Sequence, residues 1–360
     1  MAGRLERLKT YIQVHGGAYT LRRLGEKAGE RFFGTYQRRW EKLRANEATL
    51  TGQRQNQPAA GLLSVLIPVY NTAPELLQAL LDSLSAQTYR NWEAVLVNAG
   101  THADTADCLQ QTAQADARFR VFVVENAGIS GNTNRALQEA RGDWALLCDH
   151  DDLLSPDALW LVADCICREK PDVIYTDEDK VTANGCIHTD AHPKPDFCPD
   201  NLRSSNYICH LLAAKRSLLL QVGGLRPAFD GSQDHDLALR LSEATGNIAH
   251  VPATTYHWRT LASSESHQHL EKCLHAACRA VEEHTARQGY PCTATAQNGV
   301  LRLDYAIQGT PRVTLITDGT WQPDWQDTEL LSVSNWTPAA LNQAAARAQG
   351  EVLLFLSKAV

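Results

Sequence analysis

Residues 145–153, ALLCDHDDL, place three carboxylates, Asp149, Asp151 and Asp152, around His150 at the end of an apolar run. Like charges at that density repel unless a cation, an exposed turn or a chemical task offsets them. Hard oxygen donors suit magnesium or manganese, which keep several waters and bind through one or two carboxylates plus substrate phosphates. The same acids also serve as turn residues or helix caps, and Asp152 needs no larger role than that. A second candidate is GLRPAFDGSQDHDLALRLSE, residues 224–243. Asp234 and Asp236 fall in the opening turn of an amphipathic helix, where exposed amides stabilise negative charge. They are helix-start acids, or one of them faces a substrate as a general base. A carboxylate of ordinary pKa does that only when closely aligned with the hydroxyl. A third is ATTYHWR, 253–259. There a neutral His257 can complete a manganese shell and the Arg259 fork can hold phosphate. A satisfied core histidine beside Trp258 accounts for that stretch equally well.

The elements that must position these groups alternate. LLSVLIPVYN (62–71), WEAVLVN (92–98), RFRVFVVEN (118–126), DWALLCD (143–149) and DVIYTDED (172–179) read as strands. TAPELLQALLDSL (72–84), NTNRALQEA (132–140) and SPDALWLVADCI (155–166) read as helices. Thr72 with Glu75 has capping-box spacing, and Ser155 with Pro156 has the pattern of a cap and first residue. Two-sided apolar strands separated by helices predict a doubly wound, mostly parallel sheet, with ligands outside the carboxyl ends of its strands. Asn71, Asn98, Asp149–Asp152 and Asp177–Asp179 are then expected to line one crevice. The long polar stretch KPDFCPDNLRSSNYICH (194–210) reads as a loop entering a helix near Asn206.

The first 60 residues hold twelve Lys and Arg against five Glu, a surplus of +7 in a chain of net charge −7, so the other 300 carry −14. This basic, helical segment ends in the linker TGQRQNQPAAG; it is a solvated helical face or a contact for anionic lipid or an assembly partner. In it, Phe32, Phe33, Tyr36 and Trp40 recur at helical spacing and are expected to pack on the main body. Nucleic acid is not an expected partner, because the body is acidic and no reader motif occurs. The ten cysteines contain no CxxC pair and read as free thiols. No apolar run approaches the roughly 18 residues that span a bilayer, and the N-terminus lacks the apolar core of a secretory signal. The expectation is a cytoplasmic protein, peripheral at the inner membrane face if the basic segment meets lipid.

NRALQEARGDWALLCDHDD, from Asn134, aligns without a gap on NQAAARAQGEVLLFLSKAV, from Asn342. Each has an Asn, an alanine-rich helix, a Gly, an acid and a short apolar strand, but Ser357 and Ala359 replace Asp149 and Asp151. PRVTLITDG (311–319) echoes the first strand. The expected organisation is an extension and linker at 1–60, a catalytic domain at 61–264, a helical connector at 265–310 and a degenerate or truncated second α/β unit at 311–360.

From Leu62 to Ser264 the chain resembles the inverting nucleotide-sugar glycosyltransferases of family 2. That resemblance implies an A-type, Rossmann-like fold and a manganese or magnesium ion. It also implies a donor linked to a nucleoside diphosphate (UDP or dTDP). SVLIPVYN, 64–71, looks like the family's nucleotide-lining strand, which implicates Pro68, Tyr70 and Asn71, with Asn98 at the next strand end. ENAGISGNTNRAL, 125–137, is similar to the segment approaching the donor and implicates Asn126 and Asn134. CDHDD matches the metal-binding DxD, implying that Asp149 contacts the nucleotide sugar and Asp151 the metal. Asp234 then corresponds to the base, and His257 to a possible member of the metal shell. Asp177, Glu178, Asp179, Asp236 and Trp258 are assigned to the acceptor. The DEDK and NYICH stretches resemble bacterial enzymes of the rhamnan or O-antigen type, whose acceptors are saccharides or lipid-linked saccharides. One departure stands out: Ala99 occupies the place of an acid that reads the uracil or thymine ring. It leaves open a second reading, a nucleotide-sugar or glycan-binding subunit of an assembly complex.

Overall fold

The computed structural model describes residues 34–260, 270–297, 300–306, 309–319 and 328–357, together with Gly17 and Thr20. Phe32, Phe33 and most of the basic segment lie outside the described residues. The chain divides into two units, Met1–Asp304 and Tyr305–Val360.

The first unit begins with α1 (Thr35–Leu43) and α2 (Glu47–Gln55), then β1 (Leu63–Val69), α3 (Pro74–Ser85), β2 (Trp92–Asn98), α4 (Ala103–Ala115), β3 (Phe119–Val123), α5 (Gly128–Glu139) and β4 (Trp144–Leu147). It continues with β5 (Leu153–Leu154), α6 (Ala158–Glu169), β6 (Val173–Val181), β7 (His188–His192), α7 (Pro199–Ser204), β8 (Leu212–Lys215), α8 (Arg216–Gln221), α9 (Gln233–Ala244) and β9 (Ile248–Arg259). The long helix α10 (Leu270–Arg287) and the paired strands β10 (Cys292–Gln297) and β11 (Val300–Tyr305) follow. Every residue of β1 and β2 is buried, as expected of strands covered on both faces. Alternate β1 side chains feed two cores, Leu63, Val65 and Ile67 on one side and Leu66 on the other. On the first side, α3 buries Leu77, Leu80, Leu81 and Leu84 at three- and four-residue spacing, each worth about 1.5–3 kcal/mol.

The nine strands run β3-β2-β1-β4-β8-β6-β9-β5, with β7 on β6. β3, β2, β1 and β4 are parallel, as anticipated. Beyond β4 the expectation of a mostly parallel sheet fails. β8 is antiparallel to both β4 and β6, and β5–β9 and β6–β7 are antiparallel too, so the sheet is mixed. The helix expected from Asn206 is the reason for the miss. The helical turn lies earlier, at α7 with Pro199 in its first turn, and residues 206–211 run without helix into β8. Two caps also differ: α3 is preceded by Ala73, with Thr72 Oγ1 2.8 Å from His150 Nδ1, and α6 starts at Ala158 after Asp157.

The second unit is a three-stranded parallel sheet, β13 (Thr328–Ser332)–β12 (Val313–Thr317)–β14 (Val352–Leu356), with α11 (Pro338–Arg347) before β14. It repeats a local device of the first. In the first unit Ser64 and Glu93 sit opposite each other on β1 and β2. The Ser64 hydroxyl donates to Glu93 at 2.7 Å, the Arg141 amide donates to the same carboxylate at 2.6 Å, and the Gly142 amide donates to Ser64 at 2.9 Å. In the second, Thr314 and Glu329 are opposite on β12 and β13; Thr314 donates to Glu329 at 2.5 Å, Gln349 N to Glu329 at 2.7 Å, and Gly350 N to Thr314 at 2.8 Å. Arg141-Gly142 and Gln349-Gly350 are the pairs matched by the sequence echo. A Cβ on either glycine would collide with backbone two residues before, or at, the strand hydroxyl, so only glycine fits.

Candidate functional site

A cleft opens at the carboxyl ends of β1 and β4, between the start of α5 and the N-terminus of α9. Pro68, Asp149, Cys209, His210, Gln233 and Asp234 are among its lining residues. The strand-tip acid and the helix-start acid therefore face one space. Tyr256 builds the acidic tip: its hydroxyl donates to Asp152 at 2.6 Å and accepts from the Asp149 amide at 3.1 Å. The Arg259 amide holds the other Asp152 oxygen at 2.7 Å. Asp152 is thus buried and spent on architecture, and burial pushes its carboxyl well above the usual range. Lost hydration in the cleft wall raises the part-exposed Asp149 too, against the opposing pull of His210, whose Nε2 lies 3.8 Å away. Asp151 keeps a part-exposed carboxylate with His150 3.9 Å off, its own carbonyl accepting from Arg259 Nε at 2.6 Å. Arg259 is 2% exposed, with Nε and Nη1 on the Asp151 and Ala183 carbonyls and Nη2 buried with no partner among the described residues, so its burial keeps it from the phosphate contact expected of it.

Asp234 lies in the first turn of α9, where Asn206 Nδ2 donates to its Oδ2 at 2.7 Å and the Cys209 thiol lies 3.5 Å from the same oxygen. Asp236, expected to meet the acceptor, is fully buried instead and held by both Arg226 and Arg240. Asp236 lies two positions after Asp234, about 200° around a helix of 3.6 residues per turn, and so close to the face opposite the cleft. Asn134, expected at the donor, uses both ends of its carboxamide on the backbone of Leu225, at 2.7 and 2.8 Å. Asn71 has φ 49° and accepts from the Thr101 and His102 amides; Asn98 accepts from the Gly100 amide. Both shape the turns after β1 and β2. Tyr70 is half exposed beside them, and Asn126 is exposed, accepting from Gly128 N and Asn132.

Asp177, Glu178 and Asp179 are not at a strand end, because β6 continues to Val181, and each is buried in contact with histidine or lysine side chains. Asp177 meets His250 at 2.9 Å, and Glu178 meets His192 at 2.9 Å and Lys194 at 3.4 Å. Asp179 lies between His257, at 2.6 Å, and His188, at 2.9 Å, with Tyr36 donating at 3.0 Å. Burial alone would raise Glu178, but His192 and Lys194 hold it at about 2. None of the three is free to meet an acceptor in this arrangement. Trp258 stands nearer the cleft, 5.8 Å edge-on from His210 and under the Lys180 ammonium.

Among the described residues, two groups of side chains bring their donor atoms within 4.8 Å: Asp149, Asp152 and His210, and Asp179, His188 and His257. The expected pairing of Asp151 with His257 is not assembled, since Asp179 takes the His257 Nδ1 and Asp151 belongs to neither group. The oxygen-rich tip, with Asp149 and Asp151 part-exposed, fits a hard divalent ion carrying water and phosphate. The Asp179 group, with two imidazoles, fits a metal of nitrogen preference. Trp40 stacks on His188 at 3.5 Å, so α1 does pack on the body as its aromatic spacing suggested.

Residues 64–185 match the family model for glycosyl transferase family 2. The chain carries a family 2 glycosyltransferase domain. O-antigen biosynthesis protein RfbC of Myxococcus xanthus is 36% identical over 345 residues, covering 82% of this chain and 27% of that protein. The uncharacterized protein y4gI of Sinorhizobium fredii is 38% identical over 302 residues, covering 79% and 33%. The chain thus spans about a third or less of these relatives. The crystal structure of S. aureus TarS 1-349 in complex with UDP-GlcNAc is similar in fold, with a TM-score of 0.52 at 17% identity over 62% of this chain and 66% of that one. The family 2 segment carries β1 to β6 and the acidic tip, while Asp234 and the 206–211 loop lie beyond it. Sequence reasoning did not assign Asn206, Cys209 and His210 to the cleft. The available signal was a polar pair four residues apart in a long loop.

Proposed function

We propose that this chain is an inverting, metal-dependent glycosyltransferase of A-type fold. It would move a sugar from a nucleoside-diphosphate donor to a hydroxyl of a saccharide or lipid-linked saccharide in surface-polysaccharide synthesis. The observation that carries the reading is that Asp149 and Asp234 line one cleft in a chain with a family 2 domain. Asp149 and Asp151 would hold a manganese or magnesium ion, which supplies charge neutralisation at the departing diphosphate. Asp234 removes the acceptor proton as the acceptor oxygen bonds to the anomeric carbon. The bond to the diphosphate breaks in the same displacement, its electron pair leaves with the phosphate oxygen, and the anomeric centre inverts. The relative RfbC is named for O-antigen biosynthesis, which supports the polysaccharide setting. Among the described residues no helix is long and apolar enough to cross a membrane, and the basic N-terminal segment would bring the protein to an anionic surface or an assembly partner from the cytoplasmic side.

UDP or dTDP is the proposed donor base, although Ala99 is 5% exposed and its side chain accepts nothing from a ring N–H. Losing such a partner costs about 1–3 kcal/mol. A thermal-shift screen of UDP, dTDP and GDP, each with and without manganese, tests base and metal together. Asp151→Asn is expected to abolish the metal-dependent part of nucleotide binding. Asp234→Asn is expected to retain it and to lower transfer by about 10²–10⁴-fold. Nucleotide binding without turnover in the unaltered protein, across donors and acceptors, would instead favour a binding subunit.

A further inference from the structure

Residues 206–211 form a strap across the floor of the cleft, and buried charge fixes it from below. The Lys194 side chain is wholly buried; its ammonium donates to the carbonyls of Ile208, at 2.6 Å, and His210, and lies 3.4 Å from Glu178. Glu178 in turn accepts from the His210 amide at 3.0 Å, and Thr176 accepts from the Leu211 amide at 3.4 Å. The carbonyls on both sides of Cys209 are therefore tied to one ammonium, and Cys209 sits between them at φ 32°. His210, at the far end of the strap, stacks on Tyr256 with 4.6 Å between centroids and faces Asp149. Asn206, at the near end, has its carboxamide oxygen on the Cys209 amide at 3.4 Å, which turns the NH₂ toward Asp234. Both strap contacts with Asp234 fall on Oδ2. Among the described residues no hydrogen-bond partner falls on Oδ1.

We propose that Asn206 is a positioning residue for the proton-accepting carboxylate: it holds Asp234 Oδ2 and leaves Oδ1 aimed into the cleft. The inference rests on the glycosyltransferase reading above. An Asp carboxylate, free to turn about two side-chain torsions, samples orientations that do not face the acceptor, and a fixed hydrogen bond at one oxygen removes them. Glu178 and Lys194 act one step further back, by keeping the strap in place. That gives two residues of the 177–194 region a task other than acceptor binding.

The test measures nucleoside diphosphate released with manganese and water as acceptor, from whichever of UDP-, dTDP- and GDP-sugars the unaltered protein hydrolyses fastest. Asn206→Ala, and Asn206→Asp, which keeps the shape but has no N–H donor, are expected to lower kcat by roughly 10–100-fold. The donor KM and nucleotide Kd should stay within about twofold, because neither variant touches the strand-tip acids. Asn206→His, which restores a donor at similar reach, is expected to recover most of kcat. If the first two variants melt early, that recovery decides the matter, since restored folding without restored kcat overturns the proposal. Unchanged kcat, or a raised KM with unchanged kcat, overturns it as well. Asp234→Asn serves as the control. If it hydrolyses donor at the unaltered rate, or if no donor is hydrolysed at all, the base assignment fails; if only Asp234→Asn is impaired, the role of Asn206 alone fails.

Discussion

Asp236→Asn separates an acceptor contact from an architectural ion pair. The carboxylate is fully buried and receives Nε and Nη2 from both Arg226 and Arg240. Arg226 is part-exposed and has a second anion, Glu283, at 2.8 Å, so it can turn to solvent when Asp236 is neutralised. Arg240 cannot: it is 8% exposed and boxed between α9 and the 222–224 turn. Removing one partner of a buried pair costs about 3–5 kcal/mol. The Val222 and Gly224 carbonyls, which still accept from Arg240 at 2.6 and 2.7 Å, place the expectation at the lower end. About 3 kcal/mol corresponds to a melting point lowered by roughly 6–12 °C. Differential scanning calorimetry at pH 7 reads this directly. Asp234→Asn, two residues earlier and part-exposed, serves as the internal comparison and should shift the melting point little. Burial alone would raise the Asp236 carboxyl, but the two guanidinium groups outweigh it and hold it below the ordinary value. Its stabilisation is therefore present above the unfolded pKa of about 3.9 and lost as pH falls through the folded value. The wild-type and Asp236→Asn melting points should converge in strong acid. A variant with an unshifted melting point and lost transfer would refute this assignment and return Asp236 to the acceptor site.

Glu178, held at about 2, should likewise contribute stability above its unfolded value of about 4.3 and lose it as pH falls toward 2. Glu178→Gln should flatten that part of the acid-denaturation curve and increase proteolysis of the 206–211 strap. Gly350→Ala should unsettle only the second unit, with overpacking of about 1–3 kcal/mol, seen as proteolysis beyond Tyr305 with manganese-dependent nucleotide binding intact. Gly142→Ala meets the same obstruction beside β1 and should lower the melting point of the first unit.

The parallel half of the sheet was legible because its strands are apolar on both faces and end at turn residues; nothing competes with that reading in SVLIPV or WEAVLV. The reversal beyond β4 was not. LLAAK has no alternation and no β-branched residue, and a polar loop before it suits a helix start as well as a strand start. The site divides along the same line. Acids at a strand or helix end could be located from pattern alone, Asp149 at a strand tip and the pair Asp234 and Asp236 in a helix's opening turn, and only the family resemblance chose Asp234 of that pair. Acids whose role is set by a distant partner could not be placed in that way. Asp179 is answered by His188 and His257, 9 and 78 residues away, whereas Asp236 is answered by Arg226 across the turn before α9 and by Arg240 one helical turn on. Spacing along β6 carries no information about a partner such as His257. Asn206 escaped for the same reason, its contact with Asp234 spanning 28 residues.

The crowding of carboxylates at 149–152 is resolved by giving each a different surrounding. Asp152 is withdrawn into the core, where Tyr256 and the Arg259 amide take both its oxygens and burial favours its protonated form, which lowers the charge at the tip. The same Tyr256 hydroxyl accepts the Asp149 amide, and the same Arg259 side chain fixes the Asp151 carbonyl. Repulsion is thus confined to the two acids that remain part-exposed, where a divalent ion would offset it. A neutral group at 152 should therefore leave the tip intact only if it keeps both bonds. Asn has a single acceptor oxygen, so it can accept from the Tyr256 hydroxyl or from the Arg259 amide but not from both in the present geometry. The DHDD pattern consequently contains two part-exposed acids and one buried acid that is joined through Tyr256 and Arg259 to the backbone of the other two.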